Sequence, residues 1–80
     1  MPREKESTSQ LVEMLVRSLV DDQESVNVST SIDDQGMVVE VTVNPDETGK
    51  VIGRQGRIIK AIRTLARASA DYSVEVEVLG

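Results

Sequence analysis

The last strand of this chain constrains its fold more than any other feature. Tyr72, Val74, Val76 and Val78 alternate strictly with Ser73, Glu75 and Glu77. A period of two sends successive side chains to opposite faces, so this segment is a half-buried strand with one apolar and one wetted side. Such a strand needs neighbours in a sheet and a cover for its apolar face. Val26, Val28, Thr30 and Ile32 alternate with Asn27, Ser29 and Ser31, which predicts a second strand with one buried face. Met37 to Val43 reads as a third, β-branched at Val38, Val39, Val41, Thr42 and Val43. Asp33-Asp34-Gln35-Gly36 between these two is a hairpin turn, with Gly36 available for positive φ.

The cover is helical. Leu11, Val12, Met14, Leu15, Val16, Leu19 and Val20 recur near the helical period, predicting an amphipathic helix from about Ser9 to Val20. Ser7 and Gln10 have capping-box spacing. Residues 1 to 6 read as a flexible tail ahead of a single domain over 7–80. Asp21-Asp22-Gln23-Glu24 closes the helix; acids oppose the dipole there, so the turn sets the stop. Asn44-Pro45-Asp46-Glu47 supplies a turn and a helix start. Thr48 to Ile52 is then a short helix interrupted by Gly53 and Gly56, and a longer helix runs from Arg57 to about Ser69 or Ala70. The order is α-β-β-α-α-β. The fold class is α+β, with helices packed on one face of a three-stranded sheet of undetermined strand order.

Composition narrows the chemistry. The 80 residues include no Cys and no His, which argues against disulfides, thiol chemistry and transition-metal sites. The commonest general acid-base side chain is missing as well, so no enzyme activity, small-molecule substrate, metal or other cofactor is expected. The acidic pairs Asp21-Asp22, Asp33-Asp34 and Asp46-Glu47 lack calcium-loop spacing and read as solvated turns and helix ends. No apolar run approaches the roughly 20 residues that span a bilayer. The charged N-terminus does not resemble a secretory signal. A cytoplasmic protein without membrane association is the expectation.

A net charge of -5 looks hostile to nucleic acid, but its distribution matters more. Lys50, Arg54, Arg57, Lys60, Arg63 and Arg67 fall between Thr48 and Ala70, a stretch without Asp or Glu. That stretch holds +6 of a chain whose net charge is -5, leaving -11 elsewhere. An acidic body with one basic segment limits non-specific polyanion binding while the segment attracts phosphate.

The basic segment contains Gly53-Arg54-Gln55-Gly56 between two helices. Glycines at both ends let the backbone turn sharply, and a phosphodiester can approach the bare Cα atoms closely. Helix-opening N–H groups then face the phosphates, Arg54 with Lys50 and Arg57 adds charge, and Gln55 adds a hydrogen-bond donor. The string Val51-Ile52-Gly53-Arg54-Gln55-Gly56-Arg57 through Lys60-Ala61-Ile62-Arg63-Thr64-Leu65 resembles the GxxG core of KH domains, and the element order is that of the type II arrangement. Over residues 9 to 79 the chain is similar to the KhpA family of small stand-alone bacterial KH proteins. The resemblance implies that Gly53 and Gly56 grip the backbone of single-stranded RNA, with Arg54 and Gln55 exposed between them. It further implies that Ile52, Ile59 and Val41 or Val43 line a groove about four nucleotides long, with Lys60 beside it. It also implies a partner, a second KH protein of the KhpB (or Jag) type, and a role as an RNA chaperone affecting cell elongation and envelope synthesis. Tyr72 is the only aromatic residue, so stacking on an aromatic platform is not available, and binding should be weak and salt-sensitive.

Competing readings remain. Lys60, Arg63 and Arg67 share one helical face, and a solvated surface explains that stripe as well as RNA contact does. The apolar arc of the last helix is wide, so Ile58, Ala61, Leu65 and Ala68 form either a dimer interface or a seat for the first helix. A scaffolding module with RNA binding secondary is the alternative function. A P-loop is ruled out because Gly49-x-x-x-Gly53-x-x-Gly56 lacks the Gly-Lys-Ser/Thr ending.

Overall fold

The computed structural model describes residues 4–79. Helix α1 spans Glu4–Leu19, strand β1 Asn27–Asp33, β2 Gly36–Thr42, α2 Thr48–Ile52, α3 Arg57–Ala68 and β3 Val74–Leu79. Short 3-10 turns occupy Gln23–Ser25, Pro45–Glu47 and Arg54–Gly56. The α-β-β-α-α-β order is as expected. The first helix is longer than its apolar pattern suggested and begins at Glu4, so Ser7 lies inside it and Ser7/Gln10 is not its cap. Glu and Lys are good helix formers, and acids suit the first turn of a helix. Residues 1–3 of the expected tail lie outside the described residues.

The sheet runs β1-β2-β3. β1 and β2 form the antiparallel hairpin, closed at Asp33↔Gly36, while β2 and β3 pair in parallel. Asp33 Oδ1 accepts the N–H groups of Gln35 and Gly36 at 2.8 and 3.2 Å, fixing the turn. Gly36 has φ 138°, and a Cβ there would stand 2.4 Å from the Ser73 carbonyl oxygen. That carbonyl also accepts the Met37 N–H at 2.9 Å, so the hairpin tip is seated on the start of β3.

Register puts Thr30, Val39 and Val76 in one row and Val28, Val41 and Val78 in the next. Val39, Val41, Val74 and Val76 are buried under Val12 and Val16 of α1, Val51 of α2, and Ile59, Ile62 and Ala66 of α3. The core is therefore almost wholly aliphatic. β1 departs from expectation: Val28 is half-buried, but Thr30 and Ile32 are exposed, Ile32 by 51%. As an edge strand it extends beyond the helical cover, so its alternating pattern marks a face that is only partly roofed.

A polar clasp fixes α2 to the end of α1. The Glu47 carboxylate is 7% exposed and accepts the N–H groups of Asp21 and Asp22 at 2.6 and 2.8 Å. Lys50 Nζ bridges Glu47 and Asp21 at 3.1 and 2.9 Å. Asp22 in turn accepts from Ser25 Oγ and Asn44 Nδ2, and Asn44 Oδ1 caps the Asp46 N–H. Glu47 and Asp22 are thus not the solvated turn acids that their local sequence suggests. The Asp21 and Asp22 N–H groups, helped by Lys50, hold Glu47 below its ordinary 4.5. Hydrogen bonds from Ser25 and then Asn44 hold Asp22 below 3.8.

Both shifts have the same sign. Their stabilisation is complete above the unfolded-state values and is lost as pH falls through the lower folded-state values. Thermal stability of the wild type should therefore fall progressively as pH drops below 4.5. Glu47→Gln should be less stable at pH 7 and show a shallower loss on acidification. Parallel pH–Tm curves for the two proteins would remove the clasp as a source of acid sensitivity.

Candidate nucleic-acid interface

The loop between α2 and α3 is built by three residues with positive φ. Gly53 ends α2 at φ 76°, ψ 171°, a region open in practice to glycine alone. Gln55 follows at φ 59°, ψ 22°, and Gly56 at φ 74°, ψ 17°. Gln55 is the one non-glycine residue of positive φ among those described. A left-handed conformation costs an ordinary side chain about 1–2 kcal/mol, so the loop stores local strain where Arg54 and Gln55 are exposed.

The two glycines have different roles. A Cβ at Gly53 would stand 2.6 Å from Ile58 Cγ1 and 2.9 Å from its Cβ, whereas one at Gly56 would meet nothing closer than Ile59 Cγ2 at 3.9 Å. Gly53 is therefore required by close packing of α2 against α3, and Gly56 leaves an open surface at the head of α3. The Gly53 N–H bonds the Gly49 carbonyl at 2.8 Å, and the Gly56 N–H bonds the Gly53 carbonyl at 3.1 Å. The Arg57 N–H bonds the Arg54 carbonyl. Of the helix-opening N–H groups expected to face a ligand, Arg57's is thus engaged within the loop.

The six basic side chains separate into distinct settings. Lys50 is bound to Asp21 and Glu47, which raises its pKa above 10.5. Arg63 Nε donates to the Val76 carbonyl and Arg67 Nε to that of Val74, both at 3.2 Å. Arg67 also pairs with Glu75 at 2.9 Å. Arg57 makes a long contact to Gln55 Oε1 at 3.4 Å. No hydrogen bond or ion pair to a described residue engages the Arg54 or Lys60 side chain, and both residues are exposed. Glu47 and Asp21, which neutralise Lys50, carried no local signal beyond the three-residue spacing of Glu47 and Lys50.

The aliphatic residues expected beside the loop are mostly core. Ile59, Val41 and Val43 are 6%, 0% and 2% exposed, because they face the sheet–helix interior. Ile52 is half-buried and remains accessible next to Gly53. On the other flank of α3, Ile58, Ala61, Ile62 and Leu65 line an apolar groove with Leu15 and Leu19 of α1 and with Arg57. Leu65 is 48% exposed there. Ala61 and Ala68 are exposed too, although Ala68 does not line the groove. Helix α1 thus forms the opposite wall of the groove and leaves this part of the arc open.

Two helices hinged at a Gly-x-x-Gly turn, laid with a third on one face of a mixed three-stranded sheet, define a KH domain in its type II order. Residues 9–78 match the family model described as "KhpA/KhpB, KH domain", and the chain belongs to that family. It is 44% identical over 73 residues to the RNA-binding protein KhpA of Clostridium perfringens, covering 88% of this chain and 97% of that one. Identity to the RNA-binding protein KhpA of Clostridium acetobutylicum is 49% with the same coverage. The Mycobacterium tuberculosis protein of the same name is 44% identical over 68 residues, or 85% of each chain. No solved structure matches significantly. Among the described residues, no helix is long and apolar enough to cross a membrane.

The glycine geometry predicts an unequal pair of mutants. Gly56→Ala should cost about 1–2 kcal/mol, the conformational penalty alone. Gly53→Ala should cost clearly more, since it adds a clash with Ile58 and forces a side chain into a region open in practice to glycine alone. Urea unfolding of both measures this, and equal losses would show that Ile58 and the backbone at position 53 both relax freely.

Proposed function

We propose that this protein is a non-catalytic, cytoplasmic RNA-binding protein that grips about four nucleotides of single-stranded RNA at the Gly53–Gly56 loop. The observation carrying this reading is the pairing of an open backbone at Gly56 with an exposed Arg54, whose side chain has no partner among the described residues, on a strained turn. The names of the relatives agree with it. Phosphate oxygens approach the bare glycine, Arg54 supplies charge, Gln55 donates a hydrogen bond, and Ile52 offers an apolar contact for a base. With grip based on charge and backbone, affinity is weak, salt-dependent and little influenced by sequence, which suits an RNA chaperone or post-transcriptional regulator. A part in cell elongation and envelope homeostasis belongs to the same reading.

Titration of fluorescent single-stranded RNA at low and moderate salt tests the loop. The wild type should bind, more weakly as salt rises. The double variant Arg54→Asp with Gln55→Asp should lose binding by at least tenfold while keeping its thermal unfolding profile. Equal binding by both proteins would move the site elsewhere.

The apolar groove between α1 and α3 supports a second element of function, assembly with another KH chain, either a second copy or a KhpB-like protein. Leu65 at its rim and Ile58 within it give a partner helix an aliphatic seat, and a domain this small gains burial by pairing. Sedimentation velocity should show wild-type self-association that Leu65→Glu abolishes. A wild type that stays monomeric at high concentration would leave the groove to a different KH chain.

A further inference from the structure

The two edges of the sheet differ. On β3 the Val74 and Val76 carbonyls are taken by Arg67 and Arg63 of α3. β1 is the other edge. The Met37 N–H bonds the Ser73 carbonyl, on the side of β2 away from β1. Hydrogen-bonded and non-hydrogen-bonded pairs alternate along an antiparallel ladder. Ile32↔Met37 is therefore a non-hydrogen-bonded pair, and so are Thr30↔Val39 and Val28↔Val41. Val28, Thr30 and Ile32 thus turn their N–H and C=O groups outward, where no described residue bonds them. The register runs without a bulge from Asn27↔Thr42 to Asp33↔Gly36. Lysine, proline and bulges commonly close an edge strand, and β1 contains none of them.

The side chains along this edge determine what fits it. On the helical side, Thr30 and Ile32 are exposed. Ile32 lines a notch of about 260 Å³ together with Tyr72 and the turn from Asp33 to Gly36. On the uncovered side, the small Ser29 and Ser31 stand beside Glu40 and Val38 of β2, which stand beside Glu77 and Glu75 of β3. The three strands hold Asp33, Glu40, Glu75 and Glu77 but no Lys or Arg. Glu75 pairs with Arg67. Glu40 and Glu77 lie directly opposite each other, and no ion pair with a described residue engages either. Like charges in that position repel.

We propose that β1 is a docking edge for an extended peptide in which lysine or arginine alternates with aliphatic residues, added to the sheet as a fourth strand. The outward groups of Val28, Thr30 and Ile32 supply its main-chain hydrogen bonds, and the period of two sorts its side chains. Aliphatic residues meet Val28, Thr30 and Ile32, and the one beside Ile32 enters the notch. Cationic residues lie over Ser29 and Ser31. Glu40 is two strand spacings, roughly 10 Å, from the added strand. A long cationic side chain crosses the small serine to meet that carboxylate and relieves its repulsion with Glu77. Charge selects this occupant over a second copy of the chain, whose own β1 brings Asp33 and no cation. The edge shares no residue with the glycine loop, so peptide binding is independent of the RNA reading.

The probe is a blocked seven-residue peptide alternating lysine with valine, titrated into isotope-labelled protein by NMR at low and moderate salt. A fluorescent copy gives affinities. One control peptide groups the same lysines at one end, and another replaces them with glutamate. The wild type should bind the alternating peptide more tightly than either control, with amide shifts concentrated at Val28, Thr30 and Ile32, and more weakly as salt rises. Thr30→Pro removes an outward N–H and leaves the ladder to β2 intact, so it should weaken binding at least tenfold. Glu40→Gln/Glu77→Gln should weaken binding severalfold and flatten its salt dependence. Its thermal unfolding should come no lower than that of the wild type, which separates lost charge from lost fold. The Arg54→Asp/Gln55→Asp loop variant should bind the peptide as the wild type does. Equal affinity for the grouped-lysine peptide, or undiminished binding by either β-strand variant, would reduce the effect to unspecific attraction and overturn the docking edge. No binding by the wild type would overturn it as well. So would concentration-dependent shifts at the same amides without peptide, which would assign the edge to a second copy.

Discussion

Parallel pairing of β2 with β3 obliges the chain to travel back along the sheet before β3 can begin. That return is made by α2, the glycine loop and α3, and all of the proposed RNA contacts lie on it. Both helices must cover the same sheet face, because Val51 of α2 and Ile59 and Ile62 of α3 enter one core. The chain therefore reverses within a few residues, and Gly53 allows it by bringing backbone against Ile58 where no Cβ would fit. The tip of such a reversal points away from the core. Exposure of Arg54 and Gln55 thus follows from packing.

Charge is distributed with the same economy. Lys50 precedes the loop but answers to Glu47 and Asp21, so it helps secure the α1–β1 connection to α2. A phosphate would have to compete with two carboxylates for it. Arg67 is balanced by Glu75 at the opposite end of α3. Between these neutralised ends the cationic surface is short, which reconciles a net charge of -5 with attraction for a polyanion. Acid elsewhere on the domain disfavours broad adsorption, and on the proposed reading the cationic side chains near the loop that have no partner among the described residues mark where a strand would settle.

Much of this architecture was legible in the sequence because its signals are local. The alternation of β3, the Asp33–Gly36 turn and the short helix before Gly53 each depend on neighbours a few residues away, and each lies where the pattern put it. What the pattern missed depends on distant partners. Glu47 is buried by the N–H groups of Asp21 and Asp22, more than twenty residues earlier, and nothing around Asp46-Glu47 announces that. Thr30 and Ile32 keep the period of a buried face but lie on an edge strand beyond the helices. Ile59, Val41 and Val43 read equally well as groove or core from hydrophobicity alone, and the crossover geometry places them in the core. The loop glycines were visible as a motif, but their unequal roles depend on Ile58. Arg63 and Arg67 look alike on a helical face and are separated by the placement of Glu75 on β3.

The one aromatic side chain completes the argument about how such a site recognises its ligand. Tyr72 is half-buried, and its hydroxyl donates to Thr8 Oγ1 at 3.4 Å. Thr8 is itself fully buried and lies 3.1 Å from Ser69 Oγ. Tyr72 therefore ties the α3–β3 connection to α1, at the end of α3 remote from the glycine loop. Its place in this joint removes it from any stacking platform near the loop. On the proposed reading, discrimination between bases would be left to Ile52 and to whatever backbone groups a bound strand reaches, a small set of weak selectors beside contacts to phosphate. On the same reading, a surface of that composition would hold single strands by their shared backbone and release them readily, over an aliphatic core that lends no aromatic face to the ligand.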